Sequence, residues 1–92
     1  MFKIYTVCGN GIGSSLMCKF KVEEICEELG IPAEVESVDF SQATGMSADL
    51  FITIKELANQ MTGKNVAIIR SYTNKKKIRA DIEESLLALK NK

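Results

Sequence analysis

The sequence predicts an α/β fold: a single four-stranded parallel sheet, strand order 2-1-3-4, with helices on both faces in a Rossmann-like arrangement. Three observations predict it. Short β-branched, apolar runs alternate with stretches of helical period along the whole chain. The resulting order is β-α-β-(short)-β-α-β-α, and right-handed crossovers then give 2-1-3-4. With 92 residues, 46% of them hydrophobic, the chain suits one modest core, so one domain over 1–92 is expected.

"FKIYTVC" (2–8) is rich in β-branched and aromatic residues and reads as the first strand. A glycine-rich loop follows. Over 15–29 the apolar residues Cys18, Val22, Ile25, Cys26 and Leu29 share one helix face, with Lys19, Glu23, Glu27 and Glu28 elsewhere. Gly30, with Pro32 shortly after, ends that helix. "AEVESVD" (33–39) alternates as a strand, and "FSQATGMSA" (40–48) is a loop with room for one helical turn. "DLFITI" (49–54) is a short apolar strand, "KELANQM" (55–61) allows about two helical turns, and "TGKN" turns the chain. "VAIIR" (66–70) is the fourth strand. A last helix runs from about Asn74 toward Lys90, burying Ile78, Ile82, Leu86 and Leu89. The link from Asp39 to Asp49 is shorter than the dozen or more residues that parallel crossovers usually need.

Composition removes several chemistries. Histidine is absent, so neither a Ser-His-Asp nor a Cys-His pair can form within the chain, and imidazole-based zinc sites are excluded. Cys8, Cys18 and Cys26 show no C-x-x-C spacing, which disfavours a zinc ribbon or a dithiol redox pair. Neither a metal nor a cofactor is expected. The net charge of +0 disfavours a general polyanion binder, and no nucleic-acid partner is expected. No signal peptide or long apolar span is visible, and the odd cysteine count fits a reducing cytoplasm.

The chemistry concentrates in "TVCGNGIGSS" (6–15). Ligands of open α/β sheets sit beyond the carboxyl ends of the strands, where strand order reverses. Here that point lies beside the first strand, so Cys8 is expected to project into the crevice. Glycines permit close backbone approach to an anion, successive amides form a nest of donors, and the next helix adds its N-terminal N–H groups. Ser14 and Ser15 add hydroxyls. The set favours a tetrahedral dianion over the sulfur, and a thiolate below the ordinary pKa of about 8.5. The string G-x-x-x-x-G-K-[ST] is absent, and G-x-G-x-x-G fails from either Gly9 or Gly11. The loop of low-molecular-weight cysteine phosphatases fits in length, but Ser14 stands at its arginine position and Ser15 at its hydroxyl position. Without that bidentate cation, ester hydrolysis lacks its main electrostatic support, whereas transfer from an activated phosphoramidate needs less.

"VCGNGIGSSLMCKFKVEEI" resembles the amino-terminal signature of the enzyme IIB proteins of the bacterial phosphoenolpyruvate-dependent sugar phosphotransferase system. "GSSLM" followed by "KFKVEE" is most similar to the ascorbate-type members. The resemblance implies a cytoplasmic phosphoryl carrier with Cys8 as the phosphoacceptor. It implies that Gly9, Asn10, Gly11, Ile12, Gly13, Ser14 and Ser15 cradle the phosphate. The implied donor is a phosphohistidine on enzyme IIA. The implied acceptor is a sugar-type or ascorbate-like substrate imported by the membrane subunit IIC. Such a small exchangeable carrier is expected to be monomeric. Two other readings stand beside it: a degenerate cysteine phosphatase or arsenate reductase, and an anion-sensing regulatory module.

Cys18 and Cys26 sit on the expected core face and read as packing residues. Ile12 either folds beneath the loop or contacts a partner protein. Lys55, Arg70 and Lys75–Lys77 are expected at the sheet edge that carries Cys8, either as solvated charge or as a field that steers an anionic partner.

Overall fold

The computed structural model describes residues 1–9 and 13–91, the side chains of residues 13–15 excepted. The elements are β1 (Phe2–Cys8), α1 (Gly13–Leu29), β2 (Ala33–Asp39), α2 (Phe40–Ala43), β3 (Leu50–Thr53), α3 (Lys55–Ala58), β4 (Val66–Ile68) and α4 (Lys75–Lys90). All strand pairs are parallel and the order is β2-β1-β3-β4. The expected architecture is therefore the observed one.

The two faces of the sheet are covered unequally. On one face, Ile4, Leu50 and Ile52 meet Cys18, Val22 and Ile25 of α1 and Ile78, Ile82 and Leu86 of α4, every one of them fully buried. The helical periods read from the sequence thus place the intended residues inside, with Leu29 half-buried at the margin. The other face carries a smaller cluster of Val7, Val38, Ala43, Phe51 and Met61. Its cover is the pair of one-turn helices α2 and α3 and their flanking turns.

The short crossover from β2 to β3 works because it folds tightly. The Ser41 hydroxyl donates to the Asp39 carboxylate at 2.6 Å, and α2 buries Ala43 against the sheet. The chain then returns beside β1, where the Asp49 N–H donates to the Lys3 carbonyl at 2.9 Å and the Lys3 N–H donates to the Asp49 carboxylate at 2.7 Å. Several boundaries differ from the sequence reading, and β3 spans Leu50–Thr53 rather than 49–54. α1 begins at Gly13 rather than residue 15, and α3 keeps one α-turn before tighter bonds lead to the buried Met61. β4 ends at Ile68, although the Ile69 N–H still donates to the Thr53 carbonyl at 2.8 Å.

α1 stops in a Schellman turn. The Ile31 N–H reaches the Cys26 carbonyl at 2.8 Å and the Gly30 N–H reaches that of Glu27 at 3.2 Å. Gly30 has φ +69°, a left-handed conformation that costs an L-residue about 1–2 kcal/mol. A Cβ at Gly30 would meet only the Lys90 Nζ, at 3.6 Å. Gly30→Ala is therefore expected to lower the urea unfolding free energy by about 1–2 kcal/mol through backbone strain alone. A loss well above that range would mean that packing, not φ, governs this turn.

Ion pairs bind α4 to α1. Lys75 Nζ contacts Glu24 at 2.9 Å and Glu28 at 2.6 Å, and Arg79 contacts Glu28 at 2.9 Å. The hydrogen bond from Lys75 holds the Glu28 carboxyl below its ordinary 4.5, and the same contact holds Lys75 above its ordinary 10.5. A depressed carboxylate contributes stability above its unfolded pKa and loses it as pH falls through the folded value. A raised ammonium contributes below its unfolded pKa and loses it as pH rises through the folded value. The contribution therefore spans pH 4.5 to 10.5. These groups are exposed, so screening keeps the effect small. Lys75→Gln is expected to lower the thermal midpoint slightly at neutral pH, and the difference should close as acid protonates Glu28. A gap that widened in acid would reject this account.

Candidate functional site

β1 lies inside the sheet, and its ladders set the site. The β1–β2 register continues to Cys8↔Asp39, whereas the β1–β3 register ends at Thr6↔Ile52. The strands flanking the topological switch point thus part just before Cys8, as open α/β sheets do at their ligand sites. Thr6 and Val7 are fully buried and Cys8 is 4% exposed. The sequence reading expects Cys8 to project into the crevice; in the structure it is buried at the carboxyl end of β1.

After the exposed Gly9, the next residues in the expected anion loop are Asn10, Gly11 and Ile12, which lie outside the described residues. The α1 backbone resumes at Gly13, so a helix N-terminus follows Cys8 after four intervening residues. Its first N–H groups have no partner within the helix, and its dipole favours negative charge nearby. The Ser14 and Ser15 side chains are outside the description, although both residues belong to the first turn of α1. A Cβ at Gly9 would stand 3.6 Å from Leu57, an ordinary contact, and Gly9 has no positive φ. Crowding by Leu57 therefore does not require a glycine at this position.

Two residues not singled out in the sequence meet the site. Thr53, at the end of β3 and fully buried, donates from Oγ1 to the Val7 carbonyl at 2.9 Å. Tyr72, in the loop between β4 and α4, donates from its hydroxyl to the same carbonyl at 2.8 Å. Burial pushes the Tyr72 phenol above its ordinary 10.0; the Thr53 hydroxyl pulls it back, and negative charge at Cys8 pushes it further up. Neither residue follows a hydrophobic period. The available signal was topological: Thr53 ends β3 and Tyr72 follows β4, both on the edge that bears Cys8.

The other two cysteines behave as packing residues. Burial pushes the Cys18 thiol up to about 12 and the Cys26 thiol up to about 11, far from any thiolate at neutral pH. Among the described residues, no cluster of three or more histidine, cysteine or acidic side chains could hold a metal ion.

The basic residues correct one expectation. Arg70 is engaged by Asp81, with Nε 3.1 Å from both carboxylate oxygens. Lys75 is drawn along α1 toward Glu24 and Glu28, in the half of that helix remote from Cys8. Local charge counting missed these pairs because their partners lie far off in sequence. Lys55, Lys76 and Lys77 make no ion pair among the described residues.

The start of α1 also carries an uncovered apolar strip. Leu16 is 37% exposed, and Met17 and Phe20 are each 50% exposed. The spacing i, i+1, i+4 puts them on one side of the first two turns, next to the segment that follows Cys8.

Residues 3–86 match the family described as PTS system, lactose/cellobiose specific IIB subunit. An ascorbate-specific PTS system EIIB component of Mycoplasma pneumoniae is 44% identical over 73 residues, covering 77% of this chain and 77% of that protein.

Proposed function

This chain belongs to the lactose/cellobiose-specific IIB subunits of the phosphotransferase system, and from that premise we propose that it relays a phosphoryl group on the sulfur of Cys8. The observation that carries the reading is the placement of Cys8. It ends the inner strand β1 at the switch point, a helix N-terminus follows after four intervening residues, and the whole segment lies within the matched stretch.

In the forward step the Cys8 thiolate attacks phosphorus of a phosphohistidine on enzyme IIA. The S–P bond forms as the N–P bond breaks, and the departing imidazole takes up a proton. In the second step a substrate hydroxyl oxygen attacks the phosphocysteine, the S–P bond breaks, and the thiolate is restored as the hydroxyl proton is lost to solvent or a partner base. The loop from Gly9 to Ser15 supplies donors to the phosphoryl oxygens in both steps. The histidine must come from the donor, because this chain has none. The exposed Leu16, Met17 and Phe20 give partner proteins an apolar foothold beside the sulfur.

The similarity to an ascorbate-specific component makes an ascorbate-type substrate, imported by a IIC membrane subunit, the favoured acceptor. No helix among the described residues is long and apolar enough to cross a membrane, and we place the relay in the cytoplasm. Hydrolysis of phosphate esters is disfavoured because Ser14 stands where a cysteine phosphatase carries arginine.

The test is intact-mass spectrometry after incubation with phosphoenolpyruvate, the general phosphotransferase proteins and a IIA subunit. One phosphoryl adduct is expected, mapping to Cys8 and surviving acid that strips phosphohistidine. No adduct, or one located elsewhere, refutes the relay.

A further inference from the structure

Two hydroxyls converge on one carbonyl, that of the residue before Cys8. Thr53 and Tyr72 donate to the Val7 oxygen at 2.9 and 2.8 Å, and the two hydroxyl oxygens are 3.4 Å apart. They do so where the β1–β3 ladder has just ended, after Thr6↔Ile52. The alternation that aims Tyr5's backbone groups at β3 aims those of Val7 the same way. Tyr72 thus stands in the parting between the two strands, in place of the next rung.

A carbonyl oxygen has two lone pairs, and one partner satisfies it. Here two hydroxyls engage it from two different elements. The peptide plane between Val7 and Cys8 cannot rock without lengthening one of these bonds. The arm that carries Tyr72 is itself fixed. Arg70 is held by Asp81, the Ser71 hydroxyl oxygen accepts from the Thr73 and Asn74 N–H groups at 3.2 Å each, and Asn74 caps α4 by accepting from the Lys77 N–H at 3.1 Å. Packing alone does not call for a hydroxyl at Thr53, which follows Leu50, Phe51 and Ile52 in a fully buried strand.

We propose that Tyr72 and Thr53 are positioning residues, which fix the Val7–Cys8 peptide and through it the direction of the Cys8 sulfur for in-line phosphoryl transfer. The inference rests on the relay reading above. Neither side chain exchanges a proton or bonds to phosphorus; each acts through the peptide it holds.

The test compares Tyr72→Phe, Thr53→Val and Thr53→Ser with the wild-type protein in two measurements. In single-turnover transfer from phosphorylated IIA, Tyr72→Phe and Thr53→Val are each expected to lower the saturating rate about tenfold, with the half-saturating donor concentration unchanged. Thr53→Ser keeps the hydroxyl and restores the rate. In relaxation-dispersion NMR of the isolated protein, the Cys8 amide should show microsecond-to-millisecond exchange in the first two variants and none in Thr53→Ser. Unchanged saturating rates, an effect confined to half-saturation, or a Cys8 amide equally rigid in every variant would overturn the proposal. If Tyr72→Phe fails to fold, the Thr53 pair carries the same comparison. Wild-type protein that takes no phosphoryl on Cys8 refutes the relay itself, and the NMR measurement then still decides whether the hydroxyls fix the peptide.

Discussion

Cys8→Ser is expected to abolish phosphoryl uptake from IIA, with any residual rate below about one part in a thousand of wild type. The substitution changes one atom and little else. Serine fits the 4%-exposed position that cysteine occupies at the end of β1, so the thermal midpoint should barely move. What changes is the nucleophile. A thiol yields a useful thiolate fraction near neutrality, whereas a serine hydroxyl needs a neighbouring base, and this chain has no histidine to act as one. Cys18→Ser is the matched opposite. Its sulfur is fully buried in the core formed with α4 and the sheet. A hydroxyl there costs about 1–3 kcal/mol of stability unless it finds a partner. Uptake by the folded fraction should be unchanged. Intact mass and thermal unfolding, measured on both variants, separate chemistry from packing. Uptake that survives in Cys8→Ser, or vanishes in folded Cys18→Ser, overturns the assignment of the reacting sulfur.

Much of this fold was legible because its signals are local. β1 and β2 are bounded as the β-branched and aromatic content of "FKIYTVC" and the alternation of "AEVESVD" suggest. Ile78, Ile82, Leu86 and Leu89 are buried as their spacing requires, and Gly30 stops α1 in the left-handed turn that glycine accommodates best. What was not legible is long-range. Tyr72 reaches Val7 across 65 positions and Thr53 reaches it across 46, and no periodicity marks either residue. The same blindness affected Lys75, read as edge charge although Glu28, 47 positions away, holds it. At the site, sequence proposes the whole segment from Cys8 to Ser15. The structure supplies its frame: the strand end, the parting of β1 and β3, and the helix start at Gly13. Asn10, Gly11 and Ile12, where the anion nest is expected, lie outside the described residues.

Phe51→Ala is expected to remove about 3–5 kcal/mol of folding free energy, the largest stability effect of any substitution considered. Phe51 is 1% exposed on β3 and supplies the bulk of the smaller core. Its ring stacks on Tyr5, with centroids 5.8 Å apart, and Lys64 Nζ lies 5.2 Å from its centre. Opposite it, among the described residues, this face has one-turn helices and turns, contributing Ala43 and Met61. No long helix can slide in to refill the space, as α1 or α4 could on the other face. The full cavity cost should therefore appear, against a total stability of about 5–14 kcal/mol for a chain of this length. The damage also has a direction. Val7 packs in the same cluster, and its carbonyl receives the Thr53 and Tyr72 hydroxyls beside Cys8. Transfer to Cys8 should consequently fall in Phe51→Ala even at temperatures where the variant remains folded. Ile82→Ala, on the two-helix face, should lose about 2–5 kcal/mol while its folded fraction transfers at the wild-type rate. Urea unfolding and single-turnover transfer on the two variants make the comparison. Equal transfer rates per folded molecule would show that the smaller core supports the sheet without supporting the site.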